Sequence, residues 1–303
     1  MGIIKHMSSA ITNYFILVRI PNVLTTISNI LLGYIFFTSI DHFDYFDVFI
    51  LISISTSLYI GGMVSNDYFD IKIDKKERPW RPLPSNKISQ KNALIIIIIS
   101  FLYSLTISVI IGWYTFIITL IMVTLIFLYN RVLKNTIWGP INMAVIRSLN
   151  VVLGASQSIF LIDGSIFDTR FFIPLLSEFL YVSAITILSK NETKDFFLNL
   201  WNILPFIIIY VLIFSIGIFI ILGTFNYASL IPLIIFSCII IYSQIMLLKK
   251  NTTILNSVSQ LITVIVILDS IFITDIIGVY HSLILVLILI TPVYFLSRKI
   301  DMS

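Results

Sequence analysis

Residues 65–85 read SNDYFDIKIDKKERPWRPLPS and lie between two long apolar runs, where a helix would leave a membrane. One amide and three carboxylates in this stretch, Asn66, Asp67, Asp70 and Asp74, are spaced one, three and four residues apart. Because residues three and four apart share a helix face, this spacing predicts that the three carboxylates lie on one side of a helix. Crowded carboxylates repel one another unless a positive group holds them together. The expected partner is a divalent cation bound through oxygen atoms.

Basic residues follow the acids directly. Arg78 and Arg81 alternate with Pro79, Pro82 and Pro84, which favour an extended loop. Guanidinium groups bind phosphate oxygens strongly, so carboxylates for Mg²⁺ beside these arginines predict a diphosphate site. The alternative is a solvated, charged loop between two membrane spans, because basic loops are common on the cytoplasmic side. The spacing of the acids, which places them on one helix face, favours the metal site over the solvated loop.

The composition is that of a polytopic membrane protein. The 303 residues are 58% hydrophobic and 11% charged, with a mean hydropathy of +1.05. Soluble domains carry about 25% charged residues. Cys238 is the single cysteine, which excludes a disulfide within the chain and a cysteine metal site. We expect one integral-membrane domain over residues 1–303, located in the cell membrane, with membrane lipid around it and no nucleic-acid partner.

Apolar stretches of suitable length recur along the chain. Each approaches the roughly 20 residues that a helix needs to cross a bilayer. Their runs of isoleucine and leucine do not alternate with polar residues, which favours helices over a barrel. The sequence therefore predicts an all-α fold, a polytopic helical bundle with nine to ten transmembrane helices. The apolar stretches are residues 14–38, 47–68, 92–111, 114–133, 138–161, 171–190, 203–223, 229–249, 254–274 and 279–297.

Charge in the loops predicts the orientation of this bundle. One set of loops is basic, and the other is acidic apart from Arg170. The basic set contains Lys5, the 72–91 cluster, Arg131, Lys134, Lys190, Lys194, Lys249, Lys250, Arg298 and Lys299. The acidic set contains Asp41, Asp44, Asp47, Asp163, Asp168 and Asp275. The positive-inside rule places the basic loops, both termini and the 65–85 stretch in the cytoplasm.

The pattern NDxxDxxxD followed by RPxRPLPS resembles the first aspartate-rich motif of the UbiA-type intramembrane prenyltransferases. The nearest forms are those of archaeal digeranylgeranylglyceryl phosphate synthases and of EboC-like proteins. The resemblance covers roughly residues 14–250 and implies the UbiA-type fold, which usually has one span fewer than the ten counted here. It also implies Mg²⁺-dependent transfer of a prenyl group from a polyprenyl diphosphate to an acceptor, either an aromatic or a hydroxyl-bearing lipid precursor.

The resemblance also implies roles for the residues of the motif. Asn66, Asp67 and Asp70 would hold Mg²⁺, with Asp74 in support. The diphosphate oxygens would be bound by Arg78, Arg81 and Lys134. Catalysis is therefore expected to depend on four of these residues, Asp67, Asp70, Arg78 and Lys134.

Two further polar pairs resemble elements of the family. Arg19 and Asn22 in the first predicted span correspond to an arginine and an asparagine that face the diphosphate. The alternative for Arg19 is a side chain that extends to the membrane surface. Tyr129 and Lys134, in YNRVLK at the end of the fourth span, resemble the tyrosine–lysine element. An interfacial aromatic residue beside a basic loop explains this second pair almost as well.

The fifth predicted span contains unusual polar residues, Asn142, Arg147 and Asn150. Arg147 would lie about 14 Å from the start of its span, too deep to reach the surface easily. It should face a cavity or pair with an acid. Glu178 is the preferred partner and Asp269 the alternative. The resemblance to EboC-like proteins favours a substrate-binding role for Asn142 and Arg147 at a cavity wall, and a buried structural pair remains open.

The sixth span ends in SKNETKD, where the family has a second motif, DxxDxxxD. Only two carboxylates, Glu192 and Asp195, remain in this pattern, and both are expected to contribute to substrate binding. This departure keeps two alternatives open. One is a terpene cyclase of the same superfamily, in which the carbocation is quenched without an acceptor. The other is a non-catalytic or transport-related membrane protein.

Overall fold

The computed structural model describes residues 11–38, 43–157, 169–190 and 200–299, and the regular elements in these ranges are all helical. Short 3₁₀ turns and one π turn lie between the helices. This confirms the predicted all-α fold. In chain order the helices are α1 (residues 11–18), α2 (Val23–Phe37), α3 (Tyr45–Phe69), α4 (Ile71–Glu77), α5 (Gln90–Ile111), α6 (Trp113–Leu128), α7 (Gly139–Ala155), α8 (Phe172–Ser189), α9 (Leu200–Ile221), α10 (Leu230–Leu248), α11 (Ile254–Thr263), α12 (Ile265–Ile277) and α13 (Val279–Lys299).

Eight segments in the described part of the chain are long and apolar enough to cross a membrane. The predicted number of nine to ten spans is not confirmed. The fifth predicted span corresponds to α7, which has only 17 described residues, and residues 158–168 lie outside the described ranges. The tenth corresponds to α13, in which Val279–Pro292 forms a shorter apolar segment among the described residues.

Local sequence signals set several helix boundaries. The Asp44 carboxylate accepts a hydrogen bond from the Phe46 amide at 2.7 Å and caps the start of α3. The Ser89 hydroxyl accepts one from the Asn92 amide at 3.1 Å and caps α5. These short polar side chains satisfy amide groups that have no partner within a helix.

The first predicted span is broken at Arg19, between α1 and α2. Arg19 has φ 47° and ψ 55°, and a 3₁₀ turn at Ile20–Asn22 follows it. A left-handed conformation at a residue other than glycine costs about 1–3 kcal/mol and persists only where surrounding contacts enforce it. Here an ion pair to Asp67 holds the Arg19 side chain. The break places Arg19 and Asn22 on the wall of a cavity.

Helices α2 and α7 pack unusually closely. A Cβ atom at Gly33 would lie 1.9 Å from the Val151 carbonyl oxygen, and one at Gly154 would lie 2.3 Å from the Ile30 carbonyl oxygen. Any side chain at either position would therefore push the backbones apart, as at small-residue contacts between membrane helices. This contact holds the polar residues of α7 against α2.

Two groups of buried apolar residues form the core. One includes Leu51 and Leu58 of α3 with Phe101 of α5. The other includes Tyr181 of α8 and Phe236 of α10, whose ring centroids are 5.2 Å apart. Residues of both groups line the same cavity. The cavity therefore lies between the two parts of the bundle.

Candidate functional site

A cavity of about 730 Å³ opens among α3, α6, α7, α8 and α11. Part of its wall is apolar, including Leu58, Met122, Ile126, Ile146, Ile185 and Ile262. Its charged residues are mostly cationic. The described cationic lining residues are Arg19, Arg78, Arg81, Lys134, Arg147 and Lys190, and the acidic ones are Asp70, Asp74 and Glu77. An excess of cations beside an apolar wall fits an anionic group attached to a hydrocarbon chain.

Lys134 connects two residues of the first acidic motif. Its ammonium donates to Asn66 Oδ1 at 2.7 Å and also to the Asp70 carboxylate. Asn66 lies in the last turn of α3, and Asp70 joins α3 to α4. Two oxygen atoms from neighbouring turns therefore converge on one cation at the cavity wall.

The π turn at Tyr129–Leu133 precedes Lys134. Asn130 anchors this turn, because its side-chain amide donates to Ser65 Oγ at 2.6 Å and to the Gly62 carbonyl oxygen at 3.1 Å. Single π turns often occur at functional sites. Tyr129, predicted to bind substrate, lines the cavity. Asn130 was not predicted as a site residue, although it lies within the YNRVLK segment and lines the cavity.

The other two acids pair with arginines. Asp67 Oδ1 lies 3.1 Å from Arg19 and 3.7 Å from Arg81, and Asp74 Oδ2 lies 2.9 Å from Arg81. The Asp67 side chain is 5% exposed and does not line the cavity. Asp67 therefore positions two arginines.

The expected set of three carboxylates around one cation stays a prediction. Among the described residues, no group of three or more His, Cys, Asp or Glu side chains is close enough to hold a metal ion. The helix ends at Phe69, and the chain continues into α4 through Asp70. Arginine pairs with Asp67 and Asp74, whereas Lys134 contacts Asn66 and Asp70, and Asn66, Asp70 and Asp74 all line the cavity.

The remaining predicted residues divide into three groups. Arg78 and Asn22 line the cavity, and Asn22 Oδ1 is buried without a hydrogen-bond partner among the described residues. Asn142 is buried and is not among the described lining residues, so its contact with substrate stays a prediction. Glu192 and Asp195 lie in residues 191–199, outside the described part of the chain.

Arg147 lines the cavity, as predicted, but its partners are not the predicted ones. Its guanidinium donates to Asn29 Oδ1 at 2.9 Å and to Thr25 Oγ1 at 2.6 Å, both on α2. Neither oxygen of Glu178 has a hydrogen-bond partner in the described chain. No direct Arg147–Glu178 contact forms among the described residues, because the close packing of α2 on α7 brings neutral oxygen atoms of Thr25 and Asn29 to the guanidinium.

Lys190, which the sequence analysis assigned only to the basic set of loops, lines the cavity. Its ammonium donates to the Thr136 carbonyl oxygen at 2.6 Å. Burial lowers the pKa of the Lys190 ammonium from its usual value. The end of α8 is thereby held against the turn that follows Lys134.

Comparison with known proteins agrees with this geometry. Residues 26–196 match the sequence model of the UbiA prenyltransferase family. Digeranylgeranylglyceryl phosphate synthase of Sulfurisphaera tokodaii is 32% identical over 174 residues, which cover 57% of this chain and 60% of that protein. The chain thus spans about three fifths of the length of the curated relatives it matches.

Two solved structures share the fold. One is the apo structure of a UbiA homologue from Aeropyrum pernix K1, with a TM-score of 0.67 and 13% identity over 84% of this chain and 97% of that one. The other is a UbiA homologue from Archaeoglobus fulgidus bound to GPP and Mg²⁺, with a TM-score of 0.58 and 16% identity over 90% of this chain and 99% of that one.

Proposed function

Because this chain belongs to the UbiA prenyltransferase family, we propose that it transfers a prenyl group from a polyprenyl diphosphate to a hydroxyl-bearing lipid acceptor within the membrane. The observation that carries this proposal is the cavity, which joins a cationic region to an apolar wall. The relative in Sulfurisphaera tokodaii is named for a glyceryl phosphate product. That name favours the hydroxyl-bearing class of acceptor over the aromatic class.

The diphosphate would bind where Arg78, Arg81, Lys134 and Lys190 line the cavity. Charge-assisted hydrogen bonds contribute about 1.5–3 kcal/mol each. Arg81 is fixed by Asp74 at 2.9 Å and Asp67 at 3.7 Å. A fixed arginine loses little conformational entropy when it binds phosphate oxygens.

Mg²⁺ fits the pair of oxygen atoms that Lys134 contacts, Asn66 Oδ1 and the Asp70 carboxylate. These are hard oxygen ligands, and Mg²⁺ usually completes its coordination with water and substrate phosphates. When bound, it would supply positive charge to the departing diphosphate. Lys134 lines the same cavity, so its ammonium would bind phosphate oxygens of the diphosphate.

The apolar wall would hold the prenyl chain and exclude water from the reacting carbon. In the proposed reaction, the bond between the first prenyl carbon and the diphosphate oxygen breaks, and the electron pair leaves with the diphosphate. The acceptor oxygen then bonds to that carbon, and the acceptor hydroxyl releases its proton. The cations around the diphosphate would stabilise the charge that develops during bond breaking.

We further propose that residues 1–303 form one domain and that the diphosphate site and both termini face the cytoplasm. The support is the charge asymmetry between the two sets of loops. The diphosphate residues belong to the basic set.

The test is a transfer assay on the full-length protein in nanodiscs. Labelled geranylgeranyl diphosphate and Mg²⁺ are supplied with and without geranylgeranylglyceryl phosphate, and products are identified by mass spectrometry. We expect a labelled adduct of both lipids, its loss in Asp70→Asn, and its retention in the control Asp275→Asn. Asp275 contacts the Asn226 amide and Arg170 outside the cavity.

The same assay separates the alternatives. A labelled hydrocarbon formed without acceptor would indicate a cyclase. Absence of any labelled product, with or without geranylgeranylglyceryl phosphate, would contradict the proposed transfer.

A further inference from the structure

A second polar region lies on the cavity wall around Arg147. The Arg147 guanidinium is held by Thr25 and Asn29, and the Asn29 amide donates in turn to the Asp269 carboxylate at 3.0 and 3.2 Å. The Ser28 hydroxyl donates to the same carboxylate at 2.5 Å. Asp269 is fully buried. This chain of contacts fixes the orientation of the guanidinium.

Glu178 adds a second carboxyl group beside this chain. It is 1% exposed, and it lies next to Asp269 and Asn29. Buried polar groups require partners within the protein, and Asn29 connects the Arg147 guanidinium to the Asp269 carboxylate. Asp269 and Glu178 are not among the described residues that line the cavity, so they lie behind the wall that Arg147 forms.

The guanidinium still has donors to offer the cavity. Arginine carries more N–H groups than the contacts to Thr25 and Asn29 use. Asn150, one turn away on the same wall, is different, because its side chain accepts from Ser55 at 2.6 Å and donates to the Thr26 carbonyl oxygen at 3.1 Å. Arg147 is thus the better candidate for a ligand contact.

We propose that Arg147 binds an uncharged oxygen of the acceptor lipid, a hydroxyl or an ether, and that Asn29 and Asp269 position it for this contact. The inference rests on the proposed function, since it names the group of the acceptor that this part of the cavity recognises. A prenyl tail offers no hydrogen-bond acceptor, so a tail packed here would leave buried N–H groups unpaired. An oxygen-bearing ligand avoids that cost.

Charge balance favours an uncharged oxygen over a phosphate. Arg147 is a single cation with the Asp269 carboxyl behind it through Asn29, whereas several cations gather around Arg78 and Arg81, so an anion is attracted more strongly to that region. The Arg147 guanidinium is a good hydrogen-bond donor to a hydroxyl or ether oxygen.

Direct binding of lipids to the full-length protein in detergent tests the inference without requiring turnover. The probes are geranylgeranylglyceryl phosphate, its phosphate-free analogue geranylgeranylglycerol, and geranylgeranyl diphosphate with Mg²⁺. Arg147→Met should weaken binding of both glyceryl lipids by about tenfold or more and leave diphosphate binding within about twofold. Asp269→Asn should weaken the same two lipids by a few-fold, because the guanidinium loses its fixed orientation.

Controls keep the inference falsifiable. Asp275→Asn changes a residue that contacts the Asn226 amide and Arg170 outside the cavity, and it should leave all three affinities unchanged. If Arg147→Met does not fold, Arg147→Lys replaces it, since lysine keeps the charge and loses the planar fork. That variant should also lose affinity for both glyceryl lipids and keep affinity for the diphosphate.

Three outcomes would overturn the inference. Loss of affinity for the phosphate-bearing lipid alone would mean that Arg147 binds phosphate. Equal loss for all three lipids in Asp269→Asn, together with a lower melting temperature, would mean a purely structural role. Unchanged affinities in Arg147→Met would exclude contact with the acceptor. A wild-type protein that binds both glyceryl lipids through Arg147 but forms no adduct would refute the proposed transfer and leave this binding site standing.

Discussion

Lys134→Met should change metal binding and diphosphate binding in opposite directions. The Lys134 ammonium contacts Asn66 Oδ1 and the Asp70 carboxylate, the two oxygen atoms proposed for Mg²⁺. A cation that arrives alone must displace this ammonium. When the diphosphate is also present, the displaced ammonium gains phosphate oxygens as partners.

The structure allows the size of both effects to be worked out. Hydrogen bonds to charged groups contribute about 1.5–3 kcal/mol. The side chains of Lys134 and Asp70 are 30% and 16% exposed, so solvent screening reduces this contact. Removing the ammonium spares Mg²⁺ the cost of breaking this screened contact, about 1–1.5 kcal/mol. Lys134→Met should therefore bind Mg²⁺ roughly 5–10-fold more tightly. Prenyl diphosphate in the presence of Mg²⁺ should bind roughly 10–100-fold more weakly, because one charged partner is lost.

Isothermal titration calorimetry of the purified protein measures both affinities. The first titration uses Mg²⁺ alone, and the second uses geranylgeranyl diphosphate at saturating Mg²⁺. Lys134→Arg is the matched control, since it keeps a cation near Asp70 and should leave Mg²⁺ affinity low. Unchanged or weaker Mg²⁺ binding in Lys134→Met would refute the idea that the ammonium occupies the metal position.

Two further predictions concern the bundle. Gly33→Ala should lower the melting temperature markedly, because its Cβ would lie 1.9 Å from a backbone carbonyl oxygen. In the control Gly217→Ala, the Cβ meets only a leucine methyl at 3.9 Å, so the melting temperature should not fall. Equal melting temperatures for the two variants would contradict the close packing of α2 and α7. In a Cys238→Ser background, an impermeant thiol reagent outside sealed cells should label cysteine placed at Asp44 and not cysteine placed at Asn86. Labelling at Asn86 would reverse the proposed orientation.

Part of the first acidic motif could be predicted, because the positions of its residues follow from spacing within one short segment. The spacing of Asn66 and Asp70 places both on the cavity wall, as the structure confirms. The sequence could not show that Asp67 pairs with Arg19, which lies 48 residues earlier in the chain. Which cation neutralises a given carboxylate depends on helix packing. Spacing within one segment does not contain that information.

Arg147 illustrates the same limit inside the bundle. Its depth in an apolar span indicates that a charged side chain needs partners, and the structure confirms that it faces the cavity. Its identified partners, Thr25 and Asn29, lie on α2, more than 100 residues away. They reach the guanidinium because Gly33 and Gly154 allow α2 and α7 to approach closely. The sequence predicted an acid as the direct partner of Arg147, and the structure shows neutral oxygen atoms in direct contact with it.

Magnesium-dependent binding of a prenyl diphosphate to Asp70→Ala tests the central claim most directly. A non-hydrolysable analogue of geranylgeranyl diphosphate is titrated into wild type, Asp70→Ala and the control Asp275→Ala, with and without Mg²⁺. Wild type and Asp275→Ala should bind the analogue more tightly with Mg²⁺, and Asp70→Ala should show no such gain, because its metal-facing carboxylate is missing. An undiminished Mg²⁺-dependent gain in Asp70→Ala would contradict the proposed diphosphate site.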